Sequence, residues 1–176
     1  DEQIELAFGR ADKDGESANS GALIPTDAKL VCLPVRSFRG TFAWAASPMC
    51  LQMLRRTLSL AGLTGVPAAP PSPNEGNAHH TTTSVLAEGN SIYLDFAAQR
   101  CDTATAWAKL IAENVFAGDP AWQDQFKKRF VVLPDSAFDF LCETGTEVHT
   151  RVRIDDDTKT VAHGALWTEE SLPAET

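Results

Sequence analysis

Residues 147–154, Glu-Val-His-Thr-Arg-Val-Arg-Ile, alternate strictly between two kinds of side chain. Val148, Thr150, Val152 and Ile154 share one side, and His149, Arg151 and Arg153 share the other. A period of two is the repeat of an extended strand, because successive side chains leave a strand on opposite faces. A second pattern has a different period. Leu51, Leu54, Leu58 and Ala61 recur at intervals of three and four, which places one apolar stripe on a helix. Pro48 suits the first turn of that helix and Gly62 its stop. A chain that holds both periods builds neither an all-helical nor an all-β domain.

The rest of the chain continues the mixture. Residues 28–35 are apolar with β-branched members and predict a strand, with Pro34 at its end or at a sheet edge. Residues 91–96 alternate and predict a strand with Ile92, Leu94 and Phe96 on one face. Residues 103–117 predict a helix capped by Thr103, with Trp107, Leu110, Ile111 and Val115 as its stripe. Phe130–Leu133 predicts a short buried strand stopped by Pro134, and Asp135 a cap for a short helix holding Phe138 and Leu141. Ala165–Trp167 predicts a returning strand after a turn at 155–160. Residues 9–22 are small and polar, and predict an exposed loop. Residues 62–84 hold seven glycines and prolines and end in His79-His80-Thr81-Thr82-Thr83, so a flexible insertion is expected there. Interleaved short strands with few helices favour the α+β class in one domain over 1–176.

Composition narrows the function. With 15 Lys and Arg against 24 Asp and Glu the chain carries a net charge of −9, which argues against indiscriminate binding to nucleic acid or anionic membrane. The charge is uneven. Residues 1–27 hold two basic and seven acidic side chains, a balance of −5, whereas 28–74 hold five basic and no acidic ones, a balance of +5. A local basic face is therefore compatible with an acidic whole. No apolar run approaches the roughly 18 residues of a spanning helix, and no membrane partner is expected. Cys32, Cys50, Cys101 and Cys142 lie singly in apolar stretches and predict buried, reduced thiols of a cytoplasmic protein.

Few motifs carry chemistry. No phosphate-binding glycine motif and no zinc-protease motif is present, and His79-His80 reads as solvated loop. Asp155-Asp156-Asp157 lacks the spacing of a calcium loop and reads as a solvated turn. Glu169-Glu170 reads as surface, with an acid or base role as the alternative. Two features stand out. Arg36-Ser37-Phe38-Arg39-Gly40 follows a strand and offers guanidinium groups, a hydroxyl and backbone N–H groups to phosphate. Arg151 and Arg153, two apart on a strand, either track a phosphate backbone or pair with the plentiful acids.

At these residues a resemblance appears. Pro25-Thr26-Asp27-Ala28-Lys29-Leu30 and Pro34-Val35-Arg36-Ser37-Phe38-Arg39-Gly40-Thr41-Phe42-Ala43-Trp44 resemble the RAMP-type backbone subunits, the fourth subunits, of the type III-B (Cmr) CRISPR complexes. The blocks 146–148, 151–156 and 164–176, the last reading Gly-Ala-Leu-Trp-Thr-Glu-Glu-Ser-Leu-Pro-Ala-Glu-Thr, are similar to that family's second signature. The resemblance implies a ferredoxin-like (RNA-recognition-motif-like) palm with insertions, and a β-hairpin thumb at 155–164. It implies an antiviral, RNA-binding role, with guide RNA, target RNA, further copies of the subunit and other Cmr subunits as partners. It implies endoribonuclease activity with a divalent metal, Mg or Mn, in the full-length protein. Arg36, Ser37, Arg39, Gly40, Arg151, Arg153 and Lys159 are then the expected RNA contacts, and Glu169 a supporting catalytic residue. No metal ligand is assigned. Residues 1–176 correspond to the interior of such a subunit, and this stretch is not expected to cleave RNA alone. A Ser171 stands where the family often has tyrosine. The alternatives are a stand-alone metal-dependent hydrolase and a non-catalytic assembly module.

Overall fold

A computed structural model describes residues 2–10, 19–24, 26–92, 96–155 and 157–172. The elements in chain order are α1 (Glu2–Phe8), β1 (Gly9–Arg10), β2 (Asn19–Ser20), β3 (Leu33–Arg36), β4 (Phe42–Ala46), α2 (Pro48–Leu60), β5 (Asn77–His80) and β6 (Ala87–Glu88). There follow β7 (Ser91–Ile92), β8 (Phe96–Arg100), α3 (Asp102–Val115), α4 (Pro120–Arg129), β9 (Phe130–Val132), α5 (Asp135–Thr144), β10 (Glu147–Ile154) and β11 (Val161–Ser171). The class is α+β, as expected.

Seven strands form one mixed sheet in the order β3-β4-β9-β5-β8-β7-β6. β4 runs parallel to β9, and β5 runs parallel to β8 and antiparallel to β9. Both faces of the sheet are covered. On one, Trp44, Ala46, Phe130 and Val132 pack with Leu51, Trp107, Ala108, Ile111 and Phe126 from the helices. On the other, Leu33, Val35, Ala43, Ala45 and Val131 pack with Leu86, Ile92 and Phe138. Alternation along β4 and β9 divides their side chains between the two cores, so both strands are apolar at every position. Pro34 lies in β3 at the sheet edge, where its missing N–H costs no ladder bond.

The helices begin where local chemistry sets them. Ser47 caps α2 by accepting from the Cys50 N–H at 3.2 Å, with Pro48 in the first turn. Asp119 caps α4 in the same way, accepting from the Trp122 N–H at 3.0 Å. Two predicted caps act otherwise. The third helix begins at Asp102, so Thr103 lies inside it. Asp135 opens α5, but its carboxylate accepts from the Met49 N–H at 2.9 Å and so serves the start of α2.

Three sequence expectations are corrected. Residues 62–84 are not a loose insertion, because 77–80 form β5 near the middle of the sheet, and Pro71, Pro73, Ala78, His80 and Thr81 are buried. Trp107, fully buried, donates from Nε1 to the Ala69 carbonyl at 3.0 Å and holds the proline-rich stretch to the core. The histidines are thus strand residues: His79 meets Gln99 Oε1 at 3.1 Å, and buried His80 meets the Thr81 carbonyl at 2.8 Å through Nδ1. Residues 91–96 do not make one strand; Ser91–Ile92 (β7) pairs antiparallel with Phe96–Arg100 (β8), Ile92 opposite Phe96, and Leu94 lies outside the described residues. The ends of the predicted 9–22 loop pair as β1 and β2, while 11–18 lie outside the described residues. No helix among the described residues is long and apolar enough to cross a membrane. All four cysteines are unpaired and half-buried, and burial pushes the Cys32 thiol well above its ordinary value.

Candidate nucleic-acid interface

The basic turn joins β3 to β4. The Ser37 N–H donates to the Thr41 carbonyl at 3.0 Å, and the Phe42 N–H to the Gly40 carbonyl at 2.9 Å. Gly40 and Thr41 both take left-handed backbone, with φ of 73° and 72°. Glycine is favoured at 40 by its positive φ, and a Cβ there would lie 3.1 Å from Val85 Cγ2, which would have to give way by a few tenths of an ångström. Thr41 adopts the same region as a β-branched residue, which is a strained conformation.

The turn frames a concavity of about 600 Å³ lined by Arg36, Ser37, Phe38 and Thr41. The Ser37 hydroxyl is buried and meets no hydrogen-bond partner among the described residues. Phe38 projects outward with 90% of its surface exposed. The two predicted arginines differ. Arg39 forms an ion pair with Glu88 of β6 at 3.3 Å, both ends solvated. Arg36 is exposed, with no carboxylate at ion-pair distance among the described residues. Arg36 also borders a cleft of about 400 Å³ shared with Leu141, Thr146 and Glu147, so the turn and the base of the β10–β11 hairpin adjoin.

That hairpin pairs His149 with Glu169 and Arg151 with Trp167. Glu169 accepts from Trp167 Nε1 at 3.0 Å and from Arg151 Nε at 2.9 Å. These two bonds, Trp167 first, pull its carboxyl below the ordinary value. Arg151 is therefore one half of an exposed ion pair, the second of the two roles its position allowed. The opposite face bears Val148, Val152, Ile154, Val161 and Leu166, all exposed. Arg153 is exposed at the register shift between Val152 and Ile154.

At the tip, Asp155 Oδ1 accepts from the Asp157 N–H, the Thr158 N–H and the Thr158 hydroxyl at 3.1, 2.8 and 2.9 Å. The Thr158 bonds chiefly lower its pKa. Lys159 follows with φ of 56°. Asp156 lies outside the described residues. No group of three His, Cys, Asp or Glu side chains fit to hold a metal occurs among the described residues. The carboxylates nearest such a role are engaged otherwise: Asp155 by its turn, Glu169 by Trp167 and Arg151.

Arg129, Glu88 and Trp167 were not foreseen. Arg129 Nε donates to the Gly40 carbonyl at 2.8 Å, and its guanidinium lies 5.6 Å from the centre of the Phe42 ring. The basic run Lys127-Lys128-Arg129 was the sequence signal available for it.

Known proteins resemble the chain in the same mixed fold and over the same residues. It is 32% identical over 185 residues to the CRISPR system Cmr endoribonuclease Cmr4 of Pyrococcus furiosus, covering all of this chain and 59% of that protein. The crystal structure of oligomeric Cmr4 from Pyrococcus furiosus superposes with a TM-score of 0.61 at 24% identity, over 82% of this chain and 49% of that one. A cryo-EM structure of the type III-B Cmr-beta complex bound to cognate target RNA gives 0.55 at 20% identity, over 93% and 57%. The chain thus spans about three-fifths of the curated relative's length. With the RAMP superfamily pattern matching from residue 1 to residue 176, the chain belongs to the RAMP superfamily.

Proposed function

We propose that the chain is part of a guide-RNA-binding backbone subunit of a type III-B CRISPR RNA-targeting complex. Family membership and the similarity to Cmr4 support this reading. The observation that carries it to particular atoms is the β3–β4 turn. Arg36, without a carboxylate partner among the described residues, stands beside a buried Ser37 hydroxyl that also lacks one. A phosphate satisfies Arg36 for any base sequence, and takes the Ser37 hydroxyl once that side chain rotates outward. Arg39 contributes only after leaving Glu88.

In this reading the seven-stranded sheet is a ferredoxin-like palm with insertions, and the β10–β11 hairpin is the thumb that displaces a nucleotide of the guide–target duplex. Lys159 at its tip and Arg153 at its bulge face the RNA, and the exposed apolar side chains wedge between bases at a cost of about a few kcal/mol of unstacking. Other copies of the subunit and other Cmr subunits complete the assembly. Glu169, held ionised, is a fixed negative charge that orients Arg151 and is a poor proton donor. The resemblance implies a divalent metal for the full-length protein; among the described residues no three His, Cys, Asp or Glu side chains gather to hold one.

The test is guide binding by the full-length subunit in its assembled complex as a function of salt. Arg36→Ala weakens binding equally for unrelated guides and lowers the slope of log affinity against log salt by about 0.7–0.9 per copy. An unchanged slope refutes the contact.

A further inference from the structure

We infer that Arg129 is a positioning residue for the RNA-contacting turn: it holds Arg36 and Ser37 in their binding geometry without touching phosphate itself. The inference rests on the reading of that turn as a phosphate contact.

The turn is strained, because Gly40 and Thr41 are left-handed in succession and threonine disfavours that region. The two hydrogen bonds within the turn are local and exchange with water at little loss. Something outside must fix the conformation. Arg129, 89 residues away, donates to the Gly40 carbonyl at 2.8 Å. Its flat guanidinium lies over Phe42, the residue that follows the strained pair, at 5.6 Å. A further N–H, on Nη1, is directed at Gln125 Oε1 on the same helix. Arg129 is half-buried at the end of α4, and that helix is anchored by its Asp119 cap and by buried Phe126. A rigid helix end thus clamps a strained peptide. Arg129 is turned toward these two neutral acceptors, whereas Lys128 in the same basic run pairs with Asp124 at 2.6 Å.

The variants are Arg129→Ala, Arg129→Lys, Thr41→Gly and the double Arg129→Ala/Thr41→Gly, each in the full-length subunit assembled with its guide RNA. Arg129→Ala weakens guide binding about tenfold, the loss of one charge-assisted hydrogen bond, while the salt slope per copy stays that of the parent. Arg129→Lys keeps the charge but loses the flat group over Phe42, and binds between the two. In the double variant glycine takes up the left-handed backbone without strain, and affinity returns to within about threefold of the parent. A residue that served stability alone would leave guide affinity at the parent's value when binding is measured far below the melting temperature. Without RNA, hydrogen exchange at the Ser37 and Phe42 amides speeds up in Arg129→Ala and slows again in the double variant.

A slope that drops by about 0.7–0.9 in Arg129→Ala makes Arg129 a phosphate contact and overturns the inference. So does unchanged affinity, or exchange at Ser37 and Phe42 equal to the parent's. If instead Arg36→Ala leaves the slope unchanged, the reading of the turn fails, while the exchange data still judge the clamp.

Discussion

Replacing Trp107 with phenylalanine tests whether the proline-rich stretch is truly part of the core. Trp107 is wholly buried among the helices on one face of the sheet, and its indole N–H is the bond to Ala69. Phenylalanine keeps an aromatic ring but removes that donor and part of the packed volume. The bond is worth about 0.5–1.5 kcal/mol net, since the exposed Ala69 carbonyl regains water. The lost indole atoms add about 1–2 kcal/mol of transfer and cavity terms. The sum is about 1.5–3.5 kcal/mol, or roughly 3–14 °C of thermal midpoint for a domain of this size. The assay pairs a thermal melt with limited proteolysis mapped over 62–76. Phe138→Leu on the opposite face is the control, because its side chain belongs to the other core. Trp107→Phe is expected to raise cleavage at 62–76 well above that control at matched stability. Equal cleavage in the two variants, or an unmoved midpoint, refutes the argument that the indole pins this segment.

Exchanging all of 62–84 for a short Gly/Ser linker removes β5 from between β8 and β9, and abolishes the cooperative melt, read by circular dichroism. Gly40→Ala costs about 1–3 kcal/mol in urea unfolding, from the left-handed backbone and the approach to Val85. Burial chiefly lowers the pKa of His80 below 6.5, so the folded state prefers the neutral ring. Its contribution is therefore intact above pH 6.5 and is lost as pH falls from there through the lower folded value; His80→Asn flattens that part of the stability–pH curve. The Glu169 carboxyl titrates below the ordinary glutamate value, and Arg151→Ala moves it upward, read by carbon-13 NMR.

Much of this architecture is written in local pattern. The strand at 147–154 and the stripes of α2 and α3 are visible because one face of each is apolar and the other polar. β4 escaped notice for the opposite reason: Phe42–Ala46 is covered on both sides, and a continuous apolar run carries no period. β5 was hidden by its company. Four residues, two of them histidine, follow a stretch rich in glycine and proline, and only the flanking strands β8 and β9 make them a strand. The turn was legible as a cluster of guanidinium and hydroxyl groups, but the difference between Arg36 and Arg39 was not, because Glu88 lies far along the chain. The same holds for Arg151, because its pairing with Glu169 follows from the hairpin register that brings the two strands together.

The order of strands also has a consequence in time. β4 borders β3 on one side at once, but its other neighbour, β9, begins roughly 80 residues later in the chain. At translation rates of about 5–20 residues per second, the ribosome needs roughly 4–16 seconds to supply it. During that interval the open edge of Phe42–Ala46, with Trp44 on one face, is apolar and unpaired. β5 is made in the meantime, yet it borders β9 and not β4, so it leaves that edge open. The nascent chain thus carries a sticky edge until Phe130–Val132 emerges, and its yield in the cell depends on how fast that happens or on what shields the edge meanwhile.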